Sequence, residues 1–253
     1  HREVDYRLEA RTTEKFRQML SHDARFVVPR VLPEYSTDHI IASTYEHGHS
    51  VSSVAVRELP LERRSALGQA ALELFFRELF EWGEIQTDPN FGNYRIRIAG
   101  EQGGDSETDR IVLLDFGAVQ SYSSDFLQPV IQMIRASYEE DLEQVVEGGI
   151  KLRFMSRDWP AEVLDKFGKV CMSVLEPLAK DRSQWPDYAV NSHGQYRWKQ
   201  SDLPSRVAKQ AARSAISRYF RVPPKEFVFL NRKLIGVYTF IAVLHSEFNG
   251  EDL

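Results

Sequence analysis

Residues 86–93 read Gln86-Thr87-Asp88-Pro89-Asn90-Phe91-Gly92-Asn93, and further along 113–117 read Leu113-Leu114-Asp115-Phe116-Gly117. Between them lie the alternating pair Ile96 and Ile98, a glycine-rich polar stretch over 99–110, and the apolar run Ile111-Val112-Leu113-Leu114. Two short apolar runs around a polar tip predict a β-hairpin. Asp88 and Asn93 stand five residues apart before it. Asp115 follows it at a strand end, where a carboxylate can point into a cleft.

That set fits the transfer of a phosphoryl group. A kinase-type site needs one carboxylate to orient or deprotonate the acceptor, and an Asn and a second Asp to hold magnesium against the phosphates. The kinase catalytic loop spaces its Asp and Asn as D-x-x-x-x-N, the spacing of Asp88 and Asn93. Asp115-Phe116-Gly117 then reads as the magnesium-binding DFG. Each motif alone is weak, and Asp88 by itself reads equally well as a helix cap or turn residue. Taken in order, with a hairpin between them, they are specific.

Working outward, residues 2–20 read as a charged amphipathic helix with Tyr6, Ala10, Phe16 and Leu20 among its less polar positions. The run FVVPRVLPEY reads as an edge or connecting segment because of Pro29 and Pro33. Residues 39–48 predict a strand ending at Gly48. Residues 60–82 predict a long helix with Leu67, Ala71, Leu74, Phe75, Leu79 and Phe80 as its apolar stripe. Beyond the hairpin the signal is helical over 124–138, 140–150, 160–180, 204–220 and 224–248, interrupted by a polar connection over 181–202. The fold class expected is α+β and protein-kinase-like, mainly the helical C-terminal lobe with part of the N-terminal lobe. Residues 1–48 would be the partial N-lobe and 49–253 the C-lobe.

Composition narrows the alternatives. With 42% hydrophobic residues in 253, there is enough apolar surface to fold, so general disorder is excluded. A single cysteine, Cys171 in an apolar-periodic stretch, excludes a disulfide scaffold and reads as a buried structural thiol. The net charge of −5 argues against a general nucleic-acid binder. No stretch reaches the roughly 18 apolar residues of a spanning helix, and Leu234–Leu244 reads as core.

The whole chain resembles the UbiB family, also called aarF-domain-containing kinases, atypical kinase-like proteins linked to coenzyme Q biosynthesis. The resemblance rests on Glu3-Val4-Asp5-Tyr6 with Glu9-Ala10, on Gln86-Thr87-Asp88-Pro89-Asn90 with Asn93, on Leu114-Asp115-Phe116-Gly117-Ala118, and on Arg221-Val222-Pro223-Pro224 with Arg232-Lys233. The QTDPN wording is closer to the branch with mitochondrial members than to the HADPHPGN form of other bacterial ones.

The resemblance implies roles at matching positions. Asp88 would be the catalytic-loop Asp, and Asn93 and Asp115 the magnesium ligands. Glu9 would be the helix-C glutamate that pairs with a phosphate-binding lysine. The backbone of Thr44, Tyr45 and Glu46 would be the hinge that reads adenine, and Glu3 and Asp5 the regulatory ExD motif. The implied ligands are ATP and Mg2+. The implied partners are a nucleotide, coenzyme Q biosynthesis proteins and an anionic membrane surface. The implied location is the bacterial cytoplasm beside the inner membrane, or alternatively the mitochondrial matrix face of the inner membrane.

Departures from the family pattern carry expectations of their own. Before residue 3 there is no lysine-bearing strand, alanine-rich loop or KxGQ helix, and the chain opens on His1. It therefore reads as the C-terminal part of something longer, expected to bind nucleotide weakly and turn over little. Gln86 and Thr87 stand where kinases carry His and Arg, which argues against activation-loop control through that Arg.

Other readings stay open. Glu3, Asp5 and Glu9 also suit a solvated helix N-terminus. His47 and His49 lack a third ligand nearby and read as loop histidines rather than a metal site. Residues 203–233 carry eight Lys/Arg against Glu226, a net of +7 that leaves −12 elsewhere. That stretch suits anionic headgroups or a solvated helix face. A non-catalytic nucleotide- or lipid-binding scaffold and a small-molecule kinase of the choline or aminoglycoside type remain as alternatives in function.

Overall fold

The structure, a computed structural model, describes residues 5–101, 107–215, 218–219 and 221–250. Helix α1, Tyr6–Met19, starts on Asp5, whose side chain accepts the Leu8 N–H at 2.9 Å. Its inward face is anchored by Phe16, fully buried with its ring 4.8 Å from that of Phe116 and 5.7 Å from that of Trp82. Burying such a ring contributes on the order of 2–3 kcal/mol. It also fixes α1 against the Asp115-Phe116-Gly117 turn.

Strand β1, Phe26–Val27, runs parallel to β4, Arg110–Leu113, which pairs antiparallel with β3, Tyr94–Arg97. The β3–β4 hairpin is the one the alternating Ile pair predicts, with Ile96 opposite Ile111. β1 lies at the sheet edge, as its following prolines require.

The strand expected over 39–48 does not form. Leu32 N–H bonds Ala42 O and Thr44 N–H bonds Arg30 O, giving a single bridge between Val31 and Ser43, and His49 bridges to Ile96. Pro29 and Pro33 bracket that bridge and lack the donors that would extend it.

After the short helix α2, Val54–Arg57, comes α3, Leu61–Arg77. The sequence stripe continues to Phe80, but from Glu78 to Trp82 the chain widens into a π-helical turn ending at Gly83 with φ +62°. Glu78 and Leu79 point inward, three and four residues after Phe75, while Phe80, placed on the stripe by the sequence reading, falls off that face, is 44% exposed and stacks on Phe76. Strand β2, Glu84–Gln86, then pairs antiparallel with β5, Val119–Ser121.

Helices α4 (Ser124–Tyr138), α5 (Leu142–Lys151), α6 (Ala161–Val174), α7 (Leu203–Ala215) and α8 (Lys225–Val243) form the body. The connection over 181–202, polar by composition, buries Trp185, Tyr196 and Trp198 in a chain of ring contacts that reaches Phe248. In α8, Leu234, Val237, Tyr238, Phe240 and Ile241 are core, as the apolar run predicts. Among the described residues, no helix is long and apolar enough to cross a membrane.

Candidate functional site

The loop between β2 and β3 is shaped by its own side chains. Asn90 Oδ1 accepts the Gly92 N–H at 2.9 Å, and Asn93 N–H returns to Asn90 O at 3.0 Å, closing a tight turn. Within it, Asn93 Nδ2 donates to Asp88 Oδ2 at 2.8 Å. The five-residue spacing thus brings the two side chains into contact. The Asn93 amide spends an N–H on Asp88, which leaves its Oδ1 as the acceptor atom suited to a hard cation.

Two residues staple this loop to the segment around Asp115. Gln86 is 5% exposed; its Oε1 accepts the Asp88 N–H at 2.7 Å and its Nε2 donates to Asp115 O at 3.1 Å. Thr87 gives both its N–H and its hydroxyl to Ala118 O, the latter at 2.8 Å. The Leu114 N–H donates to Asn93 O at 2.9 Å, a third link. In the sequence, Gln86 and Thr87 stand out only as replacements for His and Arg; the structure gives them this work.

Asp115 Oδ1 accepts the Gly117 N–H at 2.8 Å. A Cβ built on Gly117 would lie 3.3 Å from Asp115 Oδ1 and 3.3 Å from Glu9 Oε2, so the two carboxylates flank the glycine. Glu9 reaches this place because it lies two helical turns from Phe16 on the same side of α1. Burial raises the Glu9 carboxyl above its ordinary value, and the neighbouring Asp115 charge adds to the rise. Among the described residues Glu9 forms no ion pair. Two carboxylates held this close suit a cation between or beside them.

Residues 44–46 make their hydrogen bonds elsewhere. Thr44 Oγ1 accepts the Arg30 N–H at 2.9 Å and donates to Glu46 Oε1 at 2.8 Å, and Glu46 Oε2 pairs with Arg97 at 2.6 Å. Tyr45 is 82% exposed. Asp5 serves as the α1 cap, and Glu3 lies outside the described residues.

Of the remaining sequence candidates, His49 pairs with Glu101 at 2.6 Å. Among the described residues no three His, Cys, Asp or Glu side chains cluster as a metal would require. Cys171 lines an apolar cavity of about 210 Å³ with residues of α4, α6 and α8, where burial pushes its thiol up to about 12. Such a thiol is no nucleophile at neutral pH.

Three further residues at the site carry no role in the sequence reading. Arg232 Nη2 stands 3.7 Å from Asp88 Oδ1, and Lys233 and Glu78 face one another below the loop. Arg232 and Lys233 are visible in the sequence as members of a basic stretch and as part of the family resemblance, with no role attached. Glu78 stands four residues after Leu74 and three after Phe75, on the apolar stripe of that helix, but its charge keeps it out of the sequence reading.

Asp88 and Asn93 are thus hydrogen-bonded within one loop, Gln86 ties that loop to Asp115, and Glu9 lies across Gly117 from Asp115. The model of the ABC1 atypical kinase-like domain matches residues 1–148, more than half the chain. The chain belongs to the ABC1 atypical kinase-like family. This is the family also called UbiB.

Among ABC1 relatives, the probable serine/threonine-protein kinase abkA of Dictyostelium discoideum is 28% identical over 259 residues, covering 98% of this chain and 43% of its own length. The mitochondrial atypical kinase coq-8 of Caenorhabditis elegans is 28% identical over 244 residues, covering 96% and 30%. The mitochondrial atypical kinase COQ8 of Saccharomyces cerevisiae is 25% identical over 240 residues, covering 95% and 44%. The chain thus spans less than half the length of each of these relatives. A solved structure from Mycobacterium tuberculosis, the complex of Rv3197 with erythromycin, superposes with a TM-score of 0.64 at 18% identity, covering 99% of this chain and 57% of that one. At that identity the likeness concerns the fold alone.

Proposed function

We propose that this chain carries the magnesium- and acceptor-facing half of an atypical kinase or ATPase site that supports ubiquinone (coenzyme Q) biosynthesis. The observation that carries the reading is the Asp88–Asn93 hydrogen bond, locked by Gln86 to the backbone of Asp115. Asp115 and Asn93 Oδ1 would hold Mg2+, which supplies charge neutralisation at the phosphates of ATP. Two protein oxygens are enough for an ion that keeps waters and phosphate oxygens as its other ligands. Asp88 would orient the attacking hydroxyl or water. Glu9 would orient a phosphate-binding lysine, and the backbone of 44–46 would meet adenine. In this reading residues 1–48 are N-lobe and 49–253 C-lobe.

The biosynthetic context rests on the names of the coq-8 and COQ8 relatives, which also favour a mitochondrial location over a bacterial one. A second reading, a lipid-facing scaffold, draws on the basic stretch 203–233. Within it Arg206 is spent on Glu176, Arg232 on Asp88 and Lys233 on Glu78, while Lys209, Arg213, Arg218, Arg221 and Lys225 face outward. That surface would meet anionic membrane headgroups, and flotation with phosphatidylserine vesicles checks it.

The test of the main reading is the thermal shift of the purified chain with Mg-ATP, with and without EDTA, beside Asp115→Asn. Ligand at 100 times its dissociation constant stabilises by about 2.7 kcal/mol. A magnesium-dependent shift that Asp115→Asn removes is the expected result. A shift unaffected by EDTA and by the substitution would sink the assignment of the metal site.

A further inference from the structure

Helix α8 lies beyond the residues matched by the family model, yet it forms the seat of the 86–94 loop. At Gly236 an added Cβ would stand 2.2 Å from Pro89 Cβ, so only a hydrogen there lets the loop come down onto the helix. One turn earlier, Lys233 is 4% exposed. Its Nζ donates to the Tyr94 hydroxyl at 3.1 Å and stands 3.6 Å from Glu78 Oε2. Glu78, 2% exposed, opens the π-helical turn after α3.

The pair connects to the site through one residue. The Glu78 carboxyl is approached by the Lys233 ammonium and by the backbone N–H of Gln86. Gln86 then holds the Asp88 N–H and the Asp115 carbonyl with its side chain. Glu78, Gln86, Asn93, Asp115 and Lys233 all line one enclosed gap of about 10 Å³.

A buried ion pair is a poor source of stability, since two apolar side chains of similar volume do as well or better. Its cost is offset when a fixed geometry is the gain. We infer that Lys233 and Glu78 are positioning residues: together they fix the Gln86 peptide and, through its side chain, the spacing between Asp88 and Asp115. The use of that spacing for Mg-nucleotide chemistry rests on the function proposed above; the spacing itself does not.

The test separates those two claims. Amide hydrogen exchange is measured on the wild-type chain, on Glu78→Leu/Lys233→Met, on Lys233→Met alone and on Lys233→Arg, with Mg-ADP affinity measured in parallel. The apolar double variant is expected to keep its melting temperature. Its Asp88 and Gly117 amides should nevertheless exchange at least tenfold faster, with the α5 amides unchanged and Mg-ADP bound at least tenfold more weakly. Lys233→Met alone should show the same local loosening, and Lys233→Arg should retain wild-type protection. Loop exchange within twofold of wild type in both Met-containing variants overturns the inference, and so does an equal acceleration in every helix. If the loop loosens as stated but wild type binds no Mg-nucleotide, the positioning role stands and the nucleotide reading falls.

Discussion

Asn93 Nδ2 donates to Asp88 Oδ2 at 2.8 Å while the Asp88 backbone N–H is held by Gln86 Oε1 at 2.7 Å, so both ends of this aspartate are fixed before any ligand arrives. In the role proposed for Asp88, a pre-set carboxylate of this kind contributes to the chemical step rather than to ground-state binding. Asp88→Asn is therefore expected to lower phosphate release by about 10²–10⁴-fold while the Mg-ATP thermal shift persists. Asn93→Ala should weaken both. Equal loss of binding and turnover in Asp88→Asn would place Asp88 among the metal ligands instead.

Glu9 lies across Gly117 from Asp115, and burial and the Asp115 charge raise its carboxyl. A raised acid penalises the folded state once the group is ionised and ceases to do so below its ordinary 4.5. Glu9→Gln should accordingly melt higher than wild type at pH 7–8 without ligand, with the gap closing as pH falls toward 4.5. Differential scanning calorimetry across that range decides it. A variant that melts lower at pH 8 would mean that Glu9 has a stabilising partner.

Much of this was legible in the residues. The hairpin follows from Ile96, Ile98 and the polar tip, and the contact between Asp88 and Asn93 follows from their spacing. The proximity of Glu9 to Asp115 was less so: it depends on Phe16 meeting Phe116, a long-range contact that helix periodicity leaves undetermined. Glu78 falls on the α3 stripe, four residues after Leu74 and three after Phe75, but a charge at a core position is explained only by its partner, and Lys233 is a long-range contact that helix periodicity leaves undetermined. The missing strand over 39–48 has a simpler cause: prolines on the facing segment remove the donors that a β-like apolar pattern presupposes.

Gly236 tests the seating of the loop on α8 from the other side. In a helix interior, Ala is favoured over Gly by about 1 kcal/mol. Here the new methyl would lie 2.2 Å from Pro89 Cβ, well inside contact distance, and neither the helix nor the proline ring yields readily. Overpacking of that sort costs about 1–3 kcal/mol. Gly236→Ala should thus destabilise the chain despite its better helix propensity and weaken Mg-nucleotide binding as well. A gain in denaturant midpoint would show that the loop can lift away at no cost.

The turn between α1 and β1 is pinned to α3 by a charge cluster that should set the acid limb of stability. Arg25 bonds Asp23 Oδ2 at 2.8 Å and both Glu73 oxygens at 2.6 and 2.7 Å, and Arg77 meets Asp23 at 2.9 Å. The Arg25 hydrogen bonds hold both carboxyls below their ordinary 3.8 and 4.5, against the opposing effect of burial. A depressed acid stabilises the fold above its unfolded value, and that contribution is lost as pH falls through its folded one. The Arg25 side chain is 41% exposed, so solvent screening limits the worth of the cluster to about 1 kcal/mol. Arg25→Met should cost that much at pH 7 and flatten the loss of stability between pH 4.5 and 2. Urea titrations at pH 7, 4 and 3 would show the two curves converging; parallel curves would assign the acid limb to other carboxyls.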